Sequence, residues 1–317
     1  MPKVSVIIPV YGVERYIERC ALSLFEQTLD DVEYLFIDDC TPDKSIDILK
    51  QVLEKYPHRK NQVIIHRMKS NSGQAHVRKW GIQHASGEYV IHCDSDDWVD
   101  INMYSSMYAI ALRDKSDVVV CDYNFTDGFS FSQRIKACNT VDKDLYFWDI
   151  IYQKTSWSVW NKLVRKEIYD SIESYPQYAM GEDMVLMIQL LCSCKNISYL
   201  KKNYYNYYYN PNSIMHSQRR EQCRDKYLQL KGNTEVLLQF LRKKYDDKVY
   251  KKIEAVLTYN LTIPLFPYIH EKDFLILWKR EMLSHYRILF DHKVKKIFKI
   301  MYLLIVSKIY PFYKRLK

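Results

Sequence analysis

The chain has 317 residues, more than one average domain, of which 48% are hydrophobic and 27% are charged. Seven glycines and nine prolines leave little room for disordered linkers, which excludes a largely disordered protein. The N-terminal apolar run is too short for a secretion signal, no stretch approaches the roughly 20 apolar residues of a membrane span, and eight scattered cysteines lack the paired spacing of a zinc site. We therefore expect a folded cytoplasmic protein.

The net charge of +9 is concentrated near the end of the chain. No nucleic-acid-binding motif accompanies it, so we expect no nucleic acid partner. Anionic lipid headgroups or an anionic lipid-linked substrate fit this charge better, which favours peripheral contact with the inner face of the cell membrane. The alternative is that the last helix docks on its own domain. The basic residues are Lys293, Lys295, Lys296, Lys299, Lys308, Lys314, Arg315 and Lys317.

The first 120 residues alternate between short β-branched runs and segments of helical periodicity. This alternation predicts βα units around a mostly parallel sheet flanked by helices, an α/β fold. After a further strand at 117–121 the pattern becomes irregular, and from about Arg219 it is helical almost to the end. We predict a main domain at 1–218 and a helical C-terminal domain at 219–317. The predicted strands are 4–9, 33–37, 63–66 and 89–93, separated by helices.

Ligands of an open α/β sheet bind beyond the carboxyl ends of its strands. This rule selects four short segments that follow the four predicted strands: Val10-Tyr11, Asp38-Asp39, Asn71-Ser72-Gly73 and Asp94-Ser95-Asp96-Asp97. One aromatic ring and five carboxylates are expected to share a cleft.

Several carboxylates on one loop repel one another, and a hard divalent cation resolves that conflict. Mg²⁺ or Mn²⁺ held by one or two carboxylates completes its shell with water and substrate phosphates, so the pattern predicts a nucleoside diphosphate ligand. An EF-hand is excluded, since Trp98 and Val99 stand where an oxygen ligand and a glycine belong. Two alternatives stay open on the cluster alone: turn and helix-capping aspartates, and a phosphohydrolase of the haloacid dehalogenase type.

A set of motifs in fixed order resembles glycosyltransferase family 2, whose members have the GT-A fold. The resemblance covers roughly residues 1 to 215. It rests on the segments Ser5-Val6-Ile7-Ile8-Pro9-Val10-Tyr11, Ile37-Asp38-Asp39, Asn71-Ser72-Gly73-Gln74-Ala75 with Arg78, and Gly87-Glu88-Tyr89 before the aspartate cluster.

The resemblance implies a role for each matching position on the donor side. Asp39 accepts a hydrogen bond from uracil, and Asp96 is the favoured metal ligand, with Asp97 sharing that work and Asp38 shaping its loop. The remaining nucleotide-binding positions are Pro9, Val10, Tyr11, Gly73, Arg78 and Asp94. A segment that commonly carries arginine at the position of Asn210 leads to His216, a candidate phosphate or metal contact.

The acceptor side needs a base for the attacking hydroxyl. The resemblance implies that Asp183 is this base and that Glu182 supports it. The alternative is that both carboxylates only complement the dipole of the helix that they begin. Trp157, Trp160 and Lys162 match positions near the acceptor, and the two tryptophans are equally compatible with the core.

These expectations define an inverting transfer of sugar from a nucleoside-diphosphate sugar, favoured as a UDP-sugar, to a hydroxyl of a glycan or lipid-linked saccharide. A divalent metal, Mn²⁺ or Mg²⁺, assists the leaving diphosphate. A rival interpretation from another class is a nucleotide-sugar-binding partner that has lost catalysis.

Overall fold

The computed structural model describes residues 1–210 and 219–307. These residues form two compact units. The first comprises 1–150 and 155–210, and the second joins the short segment 151–154 to the described C-terminal residues. The boundary that we predicted at residue 218 falls outside the described residues and stays a prediction.

The first unit begins with the predicted alternation of strands and helices. Its opening elements are β1 Val4–Val10, α1 Ile17–Phe25, β2 Val32–Asp38, α2 Ser45–Glu54, β3 Val63–Arg67, α3 Gln74–His84 and β4 Tyr89–His92. The continuation is β5 Trp98–Val99, α4 Met103–Arg113, β6 Val118–Thr126, β7 Ser132–Ile135, α5 Lys143–Ile151, β8 Lys162–Arg165, α6 Lys166–Tyr169, α7 Glu182–Ser193 and β9 Ile197–Tyr208.

The four predicted strands form the parallel half of one sheet. Its order is β3-β2-β1-β4, and the register pairs Val10 at the end of β1 with Asp38 at the end of β2. Nearly every residue of β1, β2 and β4 is buried, as expected for strands covered on both faces. On α1, Ile17, Ala21, Leu24 and Phe25 are buried and recur at helical spacing. The carboxyl ends of these strands therefore meet at one edge.

Beyond β4 the sheet is mixed, so "mostly parallel" describes only its first half. The strand β8 pairs antiparallel with both β4 and β6, while β9 runs parallel to β6 and antiparallel to β5. The long β9 carries the tyrosine run of the sequence, and Tyr205 at its centre is fully buried. This half of the sheet brings residues from the middle of the chain under the aspartate loop.

The second unit is helical in its described C-terminal part. It contains α8 Arg220–Lys244, α9 Asp247–Leu261, α10 Lys272–Met282 and α11 Lys296–Val306, with 3₁₀ turns at Ile263–Tyr268 and Leu283–Phe290. Within the described residues, the helices are too short or too polar to cross a membrane.

Candidate active site

Hydrogen bonds connect the end of β1 to the segments that follow β2 and β4. The Asp39 amide donates to the carbonyl of Val10 (3.0 Å), and the Ser95 hydroxyl donates to the carbonyl of Pro9 (2.6 Å). Val10 is buried, whereas the ring of Tyr11 is 50% exposed at the same edge. These hydrogen bonds join three of the four predicted segments, and they leave the Tyr11 side chain half exposed beside them.

The Asp39 carboxylate connects the second segment to the third. Its Oδ1 accepts hydrogen bonds from the amide (2.7 Å) and hydroxyl (3.0 Å) of Ser72, and its Oδ2 accepts from the Gly73 amide (2.8 Å). Gly73 has φ +83°, a conformation that a side chain would strain, and it precedes the first turn of α3. Asp39 thus has a fixed orientation, with acceptor capacity left on Oδ2.

Asp38 has the loop-shaping place that we predicted for it. Its Oδ1 accepts from the Thr41 amide at 2.7 Å, and its Oδ2 lies 2.9 Å from the Arg67 Nη1. Both oxygens of the Asp38 carboxylate therefore contact groups of the protein itself.

The three carboxylates of the aspartate cluster have different surroundings. Asp97 is fully buried, and its oxygens accept from the Tyr205 hydroxyl (2.6 Å) and the Tyr208 amide (2.7 Å). Burial, followed by the charges of Asp96 and Asp94, raises the pKa of Asp97 well above its usual range. These contacts favour a structural role for Asp97 over the metal-ligand role that we predicted.

Asp96, like Asp94, is partly exposed. Burial raises the pKa of its carboxyl, and a hydrogen bond with the Asn210 side chain opposes that change. The Arg19 Nη2 donates to the Asp96 carbonyl at 3.0 Å, while the Arg19 guanidinium stacks 3.6 Å above the Trp98 ring. Asp96 therefore has a fixed backbone and a carboxylate that is not enclosed.

Arg78 joins the aspartate cluster to the start of α7. Its guanidinium is 1% exposed and lies 2.7 Å from Asp94, 3.6 Å from Glu182 and 3.2 Å from Asp183. Three carboxylates around one buried arginine compensate part of its desolvation. The contacts of Arg78 in this structure are with carboxylates. Its contact with a nucleotide stays a prediction.

The carboxylates around Arg78 have perturbed acidity. Burial raises the pKa of Asp94 to about 6, with the Arg78 charge opposing the change. Burial, then the charge of Asp183, raises the pKa of Glu182 well above its usual value. Such perturbed groups concentrate at catalytic sites, although structural ion pairs produce them as well.

Asp183 combines an ion pair with spare acceptor capacity. Gly181, with φ +82°, is the N-cap of α7, and Asp183 is the second residue of that helix. The Asp183 side chain is 17% exposed. Its Oδ2 accepts a long hydrogen bond of 3.4 Å from the Val159 amide. Within residues 1–210 and 219–307 its Oδ1 accepts no hydrogen bond, although it faces Arg78 at 3.2 Å.

The three residues predicted on the acceptor side differ in burial. Trp157 is half-buried and stays a candidate for acceptor contact. Trp160 is buried and stacks on Tyr205 with 4.2 Å between ring centroids, so it belongs to the core. Lys162 is fully buried and presents no surface to an acceptor, which corrects its predicted role as a direct contact. His216 lies outside the described residues.

Sequence reasoning missed Arg19 and Tyr205. The Tyr205 hydroxyl donates to Asp97, and the Asp94 amide donates to that hydroxyl at 3.1 Å. Tyr205 lies more than 100 residues along the chain from both partners, and no local pattern marks such a pair. Arg19 lies next to Glu18 on the polar side of α1, and nothing in that pattern distinguished it.

The donor set fits a hard divalent cation bound together with its substrate. No group of three or more His, Cys, Asp or Glu side chains in the described part of the chain is arranged to hold a metal ion. Mg²⁺ and Mn²⁺ in nucleotide sites need no such cage, since one or two carboxylates and the phosphates suffice. Asp96 and Asp94, both partly exposed, are the carboxylates that would hold such an ion.

Comparison with known proteins gives the family. The glycosyl transferase family 2 model matches residues 5–170, just over half of the chain. The chain belongs to glycosyl transferase family 2. This decides against the phosphohydrolase that the aspartate cluster alone left open.

Curated relatives match about two thirds of the chain. EpsH of Bacillus subtilis is 31% identical over 223 residues, covering 68% of this chain and 63% of EpsH. The uncharacterized glycosyltransferase EpsJ of the same organism is 28% identical with the same coverage. A poly(ribitol-phosphate) beta-glucosyltransferase of Bacillus spizizenii is 29% identical over 65% of this chain and 32% of its own. The chain thus matches less than two thirds of the length of these relatives.

Solved structures confirm the fold class. Residues 1–349 of S. aureus TarS, in complex with UDP-GlcNAc, have a TM-score of 0.63 at 20% identity, covering 93% of this chain and 82% of that TarS chain. The mannosyltransferase PcManGT of Pyrobaculum calidifontis, in complex with GDP-Man and Mn²⁺, has a TM-score of 0.56 at 12% identity, covering 99% and 87%. The fold is GT-A, with a helical C-terminal appendage.

Proposed function

We propose that this chain transfers a sugar, with inversion, from a nucleoside-diphosphate sugar to a hydroxyl of a glycan or lipid-linked saccharide. The observation that carries the proposal is the position of Arg78. One buried guanidinium contacts Asp94 of the donor loop and Asp183 of α7. A donor-side carboxylate and a candidate base thus contact the same side chain, which brings the two halves of a displacement together.

The donor side supports a uridine nucleotide. The exposed Tyr11 ring and the oriented Asp39 carboxylate lie at one strand edge, where a base can stack and donate an N–H. TarS, a structural neighbour, is known in complex with UDP-GlcNAc, which makes a UDP-sugar the first donor to test.

The leaving diphosphate requires charge compensation. Asp96 with Asp94 would hold Mg²⁺ or Mn²⁺, which supplies Lewis-acid stabilisation of the departing pyrophosphate. PcManGT, another neighbour in fold, is known with Mn²⁺ and a nucleotide sugar.

The acceptor side supports general base catalysis by Asp183. Its Oδ1 is buried and lies 3.2 Å from Arg78, and its Oδ2, which accepts only the long hydrogen bond from Val159, has acceptor capacity for the proton of the attacking hydroxyl. Glu182 shares the same guanidinium and supports the arrangement. The hydroxyl then attacks the anomeric carbon from the face opposite the diphosphate, and no covalent enzyme intermediate forms.

Calorimetry with UDP-, GDP- and TDP-sugars, with and without Mn²⁺, tests the donor assignment. We expect metal-dependent binding of a UDP-sugar and slow UDP release in the presence of saccharide acceptors. Asp96→Asn should abolish the metal dependence, while Asp47→Asn, at an exposed aspartate of α2, should preserve it. Tight binding without turnover on any acceptor would instead support the noncatalytic binding partner.

We also propose peripheral contact of the C-terminal unit with an anionic membrane surface. Ile297, Ile300 and Leu303 are 54%, 51% and 56% exposed on α11, and Lys295 and Lys296 are exposed at its start. Apolar and basic residues on one exposed helix suit an interface with anionic headgroups. Of the other predicted basic residues, Lys293 and Lys299 are partly buried, and Lys308, Lys314, Arg315 and Lys317 lie outside the described residues.

A further inference from the structure

Lys162, the first residue of β8, is a fully buried amino group with a complete set of acceptors. Its Nζ donates to the carbonyls of Ser156 (3.1 Å) and Ser158 (2.6 Å) and to the Asn161 Oδ1 (2.8 Å). Three acceptors match the three N–H donors of an ammonium, whereas a neutral amine has two. The segment 156–161 therefore wraps around a positive charge.

Burying this charge is unfavourable. Burial lowers the pKa of Lys162 to about 7, and the negative charge of Asp183 is the first of the influences that oppose the change. A core of this kind would accept an apolar side chain of similar length at lower cost. The arrangement thus calls for a role beyond packing.

The segment around Lys162 reaches the candidate base. The Asn161 Nδ2 donates to the Cys121 carbonyl on β6 at 2.8 Å, which anchors the segment to the sheet. The Val159 amide donates to the Asp183 Oδ2 at 3.4 Å. One chain of contacts therefore runs from the Lys162 ammonium, through the backbone of 156–161, to one oxygen of Asp183.

We propose that Lys162 is a positioning residue for the base: its ammonium fixes the segment 156–161, so that the Val159 amide and the nearby positive charge hold Asp183 in one orientation. The buried Oδ1 faces Arg78, so Oδ2 is the oxygen left for the acceptor hydroxyl, and the Val159 amide sets its direction. Without the ammonium, the three acceptors lose their donor and the segment relaxes. This inference rests on the proposed role of Asp183.

The first test compares Lys162→Met, which keeps the length and removes the charge, with Lys162→Gln, which keeps two N–H donors. Lys201→Met, at an exposed lysine of β9, is the matched control. We expect Lys162→Met to lower kcat on the order of 10- to 100-fold, the scale of a small misplacement of a catalytic group. Lys162→Gln should be intermediate and Lys201→Met unchanged, with the Kd for UDP in Mn²⁺ within about twofold in all three.

A double-mutant cycle with Asp183→Asn separates positioning from general structural support. If Lys162 acts through Asp183, Lys162→Met should cause no further loss of residual turnover in the Asp183→Asn background. A structural role predicts the same fold-loss in both backgrounds and would overturn the proposal. Loss of UDP binding in both the Met and Gln variants would overturn it as well.

The cycle also distinguishes the two levels of the argument. Near-normal turnover of Asp183→Asn alone would remove the base assignment, and with it the positioning role. An inactive Asp183→Asn beside wild-type kcat in both Lys162 variants would remove only the positioning role.

Discussion

The Nη2 of Arg78 lies 2.7 Å from the Oδ1 of Asp94, and the same buried guanidinium contacts Glu182 and Asp183. This ion pair joins α3 to the loop after β4, and the other two contacts join both to the start of α7. A single side chain thus sets the distance between the donor loop and the candidate base.

Removal of the Arg78 charge should destabilise the protein as well as inactivate it. Arg78→Met leaves three carboxylates without their common partner, and breaking a buried pair in this way costs about 3–5 kcal/mol. Chemical denaturation should show that loss in the free energy of unfolding. Arg113→Met, at an exposed surface pair, should change it by less than about 1 kcal/mol. Equal stability of the two variants would contradict the assigned network.

Asp96 and Asp97 should respond differently to the same substitution. Asp96→Asn should abolish metal-dependent UDP binding with little change in stability, because its carboxylate is partly exposed. Asp97→Asn places an amide where two donors, the Tyr205 hydroxyl and the Tyr208 amide, need acceptors. It should lower the free energy of unfolding by about 1–3 kcal/mol while Mn²⁺-dependent binding persists. The reverse pattern, measured by calorimetry and denaturation, would make Asp97 the ligand.

The raised pKa of Glu182 gives a pH dependence of stability. The pKa of Glu182 is higher in the folded than in the unfolded state. Above about pH 4.5 the folded protein therefore retains the Glu182 proton that the unfolded chain releases. The stability of the wild type relative to Glu182→Gln should therefore fall as pH rises from 4.5 toward neutrality. Arg78, Asp183 and Asp94 face this carboxyl and are unchanged in the variant. If the stability of the two proteins changed equally with pH across this range, the assignment would be contradicted.

Membrane contact through α11 should depend on charge. Replacing Lys295, Lys296 and Lys299 with glutamine should reduce sedimentation with vesicles that contain phosphatidylglycerol, since each lysine near such a surface contributes about 1 kcal/mol. Binding of the wild type should also weaken at high salt. Equal sedimentation of the variant and the wild type, or equal binding to pure phosphatidylcholine vesicles, would exclude this contact.

The parallel half of the fold could be predicted from local patterns. Buried parallel strands are continuous apolar runs, so the predicted strand at 4–9 lies within β1 Val4–Val10. The mixed half could not be predicted, because Val118 pairs with both Val164 and Ile197. Such pairings depend on the packing of distant segments, and short runs do not encode it.

The candidate site, like the fold, could be predicted only in part. The strand-end rule selected Asp39 and Asp94 from local sequence, and the family resemblance added Arg78 and Asp183. Neither showed that Arg78 contacts three carboxylates, nor that both oxygens of Asp97 are occupied by β9 residues. Lys162 matches a position of the family, but its burial depends on how residues 156–161 fold around it. Contacts across long sequence separations were beyond the reach of spacing arguments.

The most direct test of the central claim is the turnover of Asp183→Asn with a UDP-sugar donor, a saccharide acceptor and Mn²⁺, compared with Asp170→Asn at an exposed position after α6. Loss of a general base should lower kcat by about 10²- to 10⁴-fold, while the Kd for UDP stays unchanged and Asp170→Asn behaves as the wild type. Near-normal kcat in Asp183→Asn would contradict the account.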